Sequence, residues 1–230
     1  MLLYGLQKMT LLDFPGRVAC TVFTGGCNFR CPFCHNARLV TKLDASQTIT
    51  EDELYAFLKK RVGLLDGVCV TGGEPLIHAD TPELIRRIRD MGFAVKLDTN
   101  GAYPDVLEKL LAEKCVDYVA MDIKNCLPKY AMTVGLASFD TSAITRSIAL
   151  LASSDVPYEF RTTVTDELHS VEDIALCAGM LPEDAKYFLQ CFVDSGELIA
   201  EGLHAPSKEK LVGMREAASR FVKNTQIRGV

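Results

Sequence analysis

Short apolar runs rich in β-branched residues alternate along the chain with longer stretches whose apolar positions repeat at helical spacing. The runs 17–23 (RVACTVF), 67–71 (GVCVT), 93–98 (FAVKLD), 117–123 (DYVAMDI), 157–163 (PYEFRTT) and 186–192 (KYFLQCF) read as buried strands. Between and after them, 51–62, 81–91, 104–114, 140–153, 171–179 and 207–223 read as helices. Thr50 before Glu51-Asp52-Glu53, and Thr81-Pro82-Glu83, supply start signals, because acidic side chains favour a helix N-terminus. Strands alternating with helices of ten or more residues predict repeated βα units and a parallel sheet. Six units fall short of a closed eight-unit barrel. The expectation is therefore an α/β fold, an open partial (β/α)6 TIM-type barrel with a parallel six-stranded sheet. A doubly wound flat sheet is the alternative. No linker or low-complexity stretch divides the chain, and residues 1–230 read as one domain.

The polar motifs fall at one end of these units. Cys27 to Cys34 follow the first strand and Thr71-Gly72-Gly73-Glu74-Pro75 the second. Asp98-Thr99-Asn100-Gly101 ends the third, Asp122-Ile123-Lys124 the fourth, and Arg161 and Gln190 lie near the ends of the fifth and sixth. Each alone is ordinary turn or surface chemistry. Six in succession at the carboxyl ends of parallel strands outline one site, because that is where βα loops converge.

Composition narrows the classes. With 25 basic and 30 acidic residues the net charge is −5, which supports neither a nucleic-acid nor an anionic-membrane surface. No apolar run approaches the roughly 20 residues needed to span a bilayer. The start, MLLYGLQKMTLLDFPG, has Lys8 and Asp13 among its apolar residues and no small-residue cleavage site, so a cytoplasmic location is expected.

The nine cysteines are unevenly placed. Cys20, Cys69, Cys115, Cys126, Cys177 and Cys191 are scattered and read as small buried hydrophobes, with a second cluster involving Cys115 and Cys126 as the alternative. Cys27, Cys31 and Cys34 crowd into the loop 25–36, GGCNFRCPFCHN. Clustered thiols in a reducing compartment point to metal or redox chemistry. Structural zinc takes four protein ligands, often in two C-x2-C pairs, and no second pair stands nearby. A thioredoxin-like Cys31-x-x-Cys34 leaves Cys27 unexplained. A [4Fe–4S] cluster ordinarily takes four thiolates, so three leave one iron open for a substrate.

C-x3-C-x2-C with Phe33 before the last cysteine, followed by Gly-Gly-Glu on the next strand, resembles the radical S-adenosylmethionine superfamily. The resemblance runs from Gly25 to the last helix. It implies a [4Fe–4S] cluster on Cys27, Cys31 and Cys34, and S-adenosyl-L-methionine chelated to the open iron and cleaved reductively to a 5′-deoxyadenosyl radical. Cys34-His35-Asn36, Thr71 to Pro75, Leu97-Asp98-Thr99-Asn100-Gly101 and Met121 to Lys124 look like glycyl-radical-enzyme activases. Gly5-Leu6-Gln7-Lys8 through Asp13-Phe14-Pro15-Gly16 is closest to anaerobic ribonucleoside-triphosphate reductase activating proteins. No cysteine-rich ferredoxin-like insertion follows Cys34, so a single cluster is implied.

The resemblance also implies roles. Gly72, Gly73 and Glu74 would meet the methionine amino group; Asn100, Lys124 and Arg161 would contact the cofactor; Phe33 and His35 would border adenine. Gln190 stands where similar activases carry a histidine near the adenosyl group. Asp98, Thr99 and Asp122 would hold a monovalent cation, Na+ or K+, beside the methionine carboxylate. The implied partners are a glycyl radical enzyme as protein substrate and a flavodoxin or ferredoxin as electron donor, with no nucleic acid and no membrane. Gln7-Lys8 and Asp13 to Gly16 would be docking elements at the mouth. The alternatives are a radical enzyme acting on a small molecule, like the 7-carboxy-7-deazaguanine synthases, and an iron–sulfur electron carrier. Convergent motifs after several strands argue against a carrier, which needs no adenosyl site.

Overall fold

The computed structural model describes residues 1–229, and all of their side chains except that of Gln47. In chain order the elements are β1 (Leu2–Thr10), β2 (Ala19–Thr24), α1 (Ala37–Thr41), β3 (Ile49–Thr50), α2 (Glu51–Lys59), β4 (Gly67–Gly72), α3 (Thr81–Asp90), β5 (Ala94–Thr99) and α4 (Pro104–Ala112). They continue with β6 (Tyr118–Asp122), α5 (Tyr130–Thr133), α6 (Ser142–Ala152), β7 (Tyr158–Val164), α7 (Val171–Ala178), β8 (Lys186–Cys191), α8 (Lys208–Ala218) and β9 (Asn224–Arg228). Local chemistry starts the helices where expected. Thr50 and Ser170 close capping boxes with Glu53 and Asp173, and Pro82 and Pro104 occupy first-turn positions whose N–H groups have no helical acceptor.

The strands form one sheet in the order β3-β1-β2-β4-β5-β6-β7-β8-β9. β2 and β4 to β9 are parallel, whereas β1 runs antiparallel to β2 and β3. The edges β3 and β9 do not pair, so the sheet curls without closing. All six expected strands are present, but the six-stranded count is too small. β9, NTQIR, is a short and largely polar edge strand, and β1, LLYGLQKMT, lacks clean alternation because its pairing with β2 shifts register twice. Both signals are weak for the same physical reason: a strand near a sheet edge can face water and need not read as an apolar run.

Alternate residues along each strand face opposite ways. The outer set, including Val68, Val70, Val95, Leu97, Val119, Met121, Phe160 and Leu189, packs in one cluster with Leu54, Leu84, Ile88, Leu107, Leu110, Ile144, Leu151, Ile174 and Met214 of the surrounding helices. The inner set is polar towards the carboxyl ends of the strands, with Thr71, Asp98, Asp122, Arg161 and Gln190. At the amino ends of the strands the lumen is stoppered by Phe14, which packs with Ala19, Ala94 and Tyr118, its ring centroid 6.3 Å from that of Tyr118. This puts the 11–18 loop at the end of the barrel opposite the carboxyl ends of the strands, since Thr10 pairs with Ala19, the first residue of β2. The expectation that Asp13 to Gly16 dock a partner at the mouth is therefore wrong. Gln7 lies mid-strand opposite Thr21, and Lys8 lies further still from the mouth.

Candidate active site

The loop 25–36 crosses the carboxyl ends of the strands directly after β2. Its shape is fixed mainly by backbone bonds. Gly26 N–H donates to Leu39 O (2.7 Å), Arg30 N–H to Val134 O (2.9 Å) and Cys34 N–H to Cys31 O (3.1 Å), while the Arg30 guanidinium donates to the carbonyls of Cys27 (2.7 Å) and Phe29 (2.8 Å). Cys27, Cys31 and Cys34 all line one cavity of ≈ 240 Å³. Thr71, Gly72, Gly73, Glu74, Asp98, Thr99, Asn100, Asp122, Lys124, Arg161, Thr163 and Gln190 complete its walls with Phe33, His35 and Asn36. Every sequence-predicted site residue is thus in one place.

Among the described residues, no three His, Cys, Asp or Glu side chains converge closely enough to hold a single metal ion. The three thiols instead line the wall of a space. Burial pushes the Cys31 thiol up to about 12 and raises those of Cys27 and Cys34 as well, against the pull of Lys124. A cationic centre reverses that logic by coordinating the thiolates outright. The donor set is three sulfurs and no fourth, facing a polar cavity, and it fits a [4Fe–4S] cluster with one iron left open.

The Gly-Gly-Glu turn couples this loop to the sheet. Gly73 N–H donates to Thr24 O (3.0 Å) and Glu74 N–H to Gly26 O (2.9 Å), while the Asn36 amide donates to Gly72 O (3.0 Å). Gly72 adopts φ +128°, open only to glycine, and a Cβ there or on Gly73 would collide with the Thr24 and Gly26 backbones. The glycines let two backbones of this chain touch. Glu74 is fully buried, and its carboxylate accepts from Leu76 N–H (3.1 Å), Thr99 Oγ1 (2.8 Å) and Asn100 N–H (2.6 Å). Burial raises it to about 7 against those three donors. Glu74 therefore shapes the Asp98–Gly101 turn. Asn100 carries the connection onward, its amide donating to Asn28 Oδ1 (2.8 Å) beside Cys27.

The lumen below the cysteines holds a ladder of charges. Arg161 donates from Nε to Asp122 Oδ1 (2.8 Å) and from a terminal nitrogen to Asp98 Oδ2 (3.1 Å); Lys124 Nζ donates to Asp122 Oδ2 (2.9 Å). Lys96 Nζ, buried, bonds Asp98 Oδ1 and approaches Cys69 Sγ at 3.7 Å. Burial alone would raise both aspartates, but Arg161 with Lys96, and Arg161 with Lys124, outweigh it and hold them below the usual carboxylate range. Lys124 and Arg161 are raised correspondingly, the aspartates outweighing burial. The expected cation ligands are thus already engaged. Thr99, the third, donates its hydroxyl to Glu74.

Phe33 is buried edge-on to His169 (6.1 Å), whereas His35 is exposed beside Phe192 (5.8 Å). Gln190 opposes Thr163 and Arg228 on neighbouring strands and faces the same cavity. The sequence reading missed Lys96, Asn28 and Thr163, and it gave Asn36 no role beyond the Cys34-His35-Asn36 motif. The alternative of a second cluster involving Cys115 and Cys126 gains no support: Cys115 Sγ lies near Glu113 O (3.7 Å), Cys126 Sγ near Asp173 Oδ1 (3.5 Å), and the described residues bring no further ligands to either. No helix among the described residues is long and apolar enough to cross a membrane.

Comparison with known proteins agrees with this geometry. A protein of Methanocaldococcus jannaschii provisionally named a glycyl-radical enzyme activating enzyme is 30% identical over 240 residues, covering 100% of this chain and 96% of its own. The pyruvate formate-lyase-activating enzyme of Clostridium pasteurianum is 29% identical over 128 residues, 54% of this chain and 52% of its own. Among solved structures, Streptococcus suis SuiB bound to its precursor peptide superposes with a TM-score of 0.69 over 90% of this chain and 47% of that one, at 13% identity, a likeness of fold. The profile of the radical SAM superfamily matches residues 21–172, which include the three cysteines, Gly-Gly-Glu, both lumen aspartates and Arg161. Membership implies a [4Fe–4S] cluster and S-adenosylmethionine, which the cavity's donor set fits: this chain belongs to the radical SAM superfamily and is a radical SAM enzyme.

Proposed function

We propose that the protein is a glycyl-radical-enzyme activase, taking a hydrogen atom from the α-carbon of a glycine in a separate protein. The observation that carries this is the full-length similarity, 30% over all of this chain, to a relative named for that activity. The open sheet supports it, since unpaired β3 and β9 edges leave a lateral gap through which a protein loop can reach the cavity. The N-terminal Gly5 to Gly16 motif favours anaerobic ribonucleoside-triphosphate reductase as the partner.

Cys27, Cys31 and Cys34 would hold three irons. When bound, the reduced cluster and S-adenosylmethionine supply a 5′-deoxyadenosyl radical, with a flavodoxin or ferredoxin as the inferred electron source. The chain's own residues orient and shield. Asn36 fixes the Gly72 peptide at the cavity wall, and Lys124 and Arg161 would offer cationic nitrogens to the methionine carboxylate. His35 and Phe33, on the same cavity wall, would border the adenine, and Gln190 with Thr163 the sugar. The stoppered amino end closes the lumen behind Tyr118, so no reactant enters from that end.

The test mixes anaerobically reconstituted, reduced protein with S-adenosylmethionine and the candidate glycyl radical enzymes, followed by electron paramagnetic resonance. A glycyl doublet on the anaerobic reductase supports the reading. Small-molecule turnover with no doublet on any candidate refutes it.

A further inference from the structure

Lys96 and Asp98 stand two apart on β5 and so share the lumen face. Lys96 is 2% exposed, an unusual place for an ammonium, and it meets Asp98 Oδ1. Asp98 Oδ2 and Asp122 Oδ1 both face Arg161, and Asp122 Oδ2 faces Lys124. Each of the four carboxylate oxygens therefore accepts from a cation belonging to this chain. Of the neighbouring carboxylates, Glu159 is held by Arg228 (2.9 and 3.1 Å) and Tyr118 (3.0 Å), while Asp13, which accepts from Thr21 (2.5 Å), and Glu74, which accepts from Thr99 (2.8 Å), are held by uncharged donors. The ladder thus sets three cations, Lys96, Arg161 and Lys124, against two aspartates. A metal cation at Asp98 would sit against the Lys96 ammonium and find both carboxylate oxygens already taken.

We propose that Lys96 is a built-in counter-ion, its ammonium taking the place beside Asp98 that a monovalent metal cation was expected to fill, so that this chain binds S-adenosylmethionine without Na+ or K+. Lys96 acts through Asp98 and Arg161 and is a positioning residue. The inference rests on the reading of the cavity as an S-adenosylmethionine site.

The experiment titrates S-adenosylmethionine calorimetrically into cluster-loaded protein in KCl, NaCl and tetramethylammonium chloride at equal ionic strength. The wild type keeps its affinity within about twofold across the three salts, the scale of a nonspecific screening effect. Lys96→Ala, which vacates the ammonium's space, loses about 10- to 100-fold in tetramethylammonium and recovers with K+ or methylammonium. A wild type that loses about tenfold or more without Na+ or K+ overturns the proposal, and this arm needs no variant to fold. Equal affinity of wild type and Lys96→Ala in all salts also overturns it. No binding in any salt at full iron content overturns the site reading itself, a separate result.

Discussion

Gly73 offers the sharpest test of how the cofactor motif is built. A Cβ placed on Gly73 lies 2.6 Å from the Gly26 carbonyl carbon, closer still to its oxygen, and 3.4 Å from the Cys27 Cβ. The obstruction is backbone, so no side chain can swing away. Gly73→Ala must push the cluster loop off the end of β4, straining the Gly73 N–H to Thr24 O and Glu74 N–H to Gly26 O bonds. Overpacking costs about 1–3 kcal/mol and each lost bond about 0.5–1.5 kcal/mol, giving about 2–6 kcal/mol in total. At about 2–4 °C per kcal/mol for a chain of this size, Tm should fall by about 4–24 °C. Because the moving segment carries Cys27, iron retention after anaerobic desalting should fall as well. Differential scanning calorimetry of the apoprotein and iron analysis of the reconstituted protein read the two effects separately. A Gly73→Ala protein with wild-type Tm and full iron would refute the claim that these glycines serve a backbone-to-backbone contact.

Cys27→Ala, Cys31→Ala and Cys34→Ala should each abolish reductive S-adenosylmethionine cleavage, while Cys115→Ala and Cys126→Ala keep it and about four irons per chain, read by iron analysis and product chromatography. Asp122→Asn should weaken S-adenosylmethionine affinity about 10- to 100-fold, by calorimetry, without loss of iron, because Asp122 aims Arg161 and Lys124 and ligates no iron. The raised Glu74 carboxyl makes the folded apoprotein bind its proton more tightly than the unfolded chain does. Its contribution is therefore full below about pH 4.5 and lost as pH rises towards about 7, a fall of about 3 kcal/mol that should appear in the wild-type-minus-Glu74→Gln difference in urea titrations. Gly213→Ala, in the interior of α8 with its new Cβ at ordinary contact distance from Val171, should stabilise by about 0.5–1 kcal/mol in the same assay.

The strands that carry the motifs were legible because they are central: RVACTVF and DYVAMDI are covered on their outer face by helices, and their apolar runs show it. β1 and β9 were not, since strands near an edge can be polar without penalty. The convergence of the polar motifs was equally legible, because parallel βα units put all their following loops at one end. What one-dimensional reading could not supply was parity. Asp98 and Thr99 read as joint ligands, yet adjacent strand residues point opposite ways, and Thr99 serves Glu74. The same parity would have found Lys96, a charged residue inside FAVKLD on the face of Asp98. The reach of Glu74 into the Asp98–Gly101 turn carries no sequence signal, because it joins residues of two different units.

The order of strands in the sheet follows their order in the chain from β4 to β9, and this bears on how the protein is made. Synthesis delivers Cys27, Cys31 and Cys34 early, whereas Arg161 on β7 and Gln190 on β8, which wall the far side of their cavity, come late. At roughly 5–20 residues per second, the three thiols wait on the order of ten to thirty seconds before that wall exists. During that interval nothing from β7 or β8 shields them from oxidants or competing metal ions. Oxygen exposure during expression therefore threatens the nascent chain through its bare thiols as well as the finished protein through its cluster, and iron supplied after synthesis repairs only the second loss.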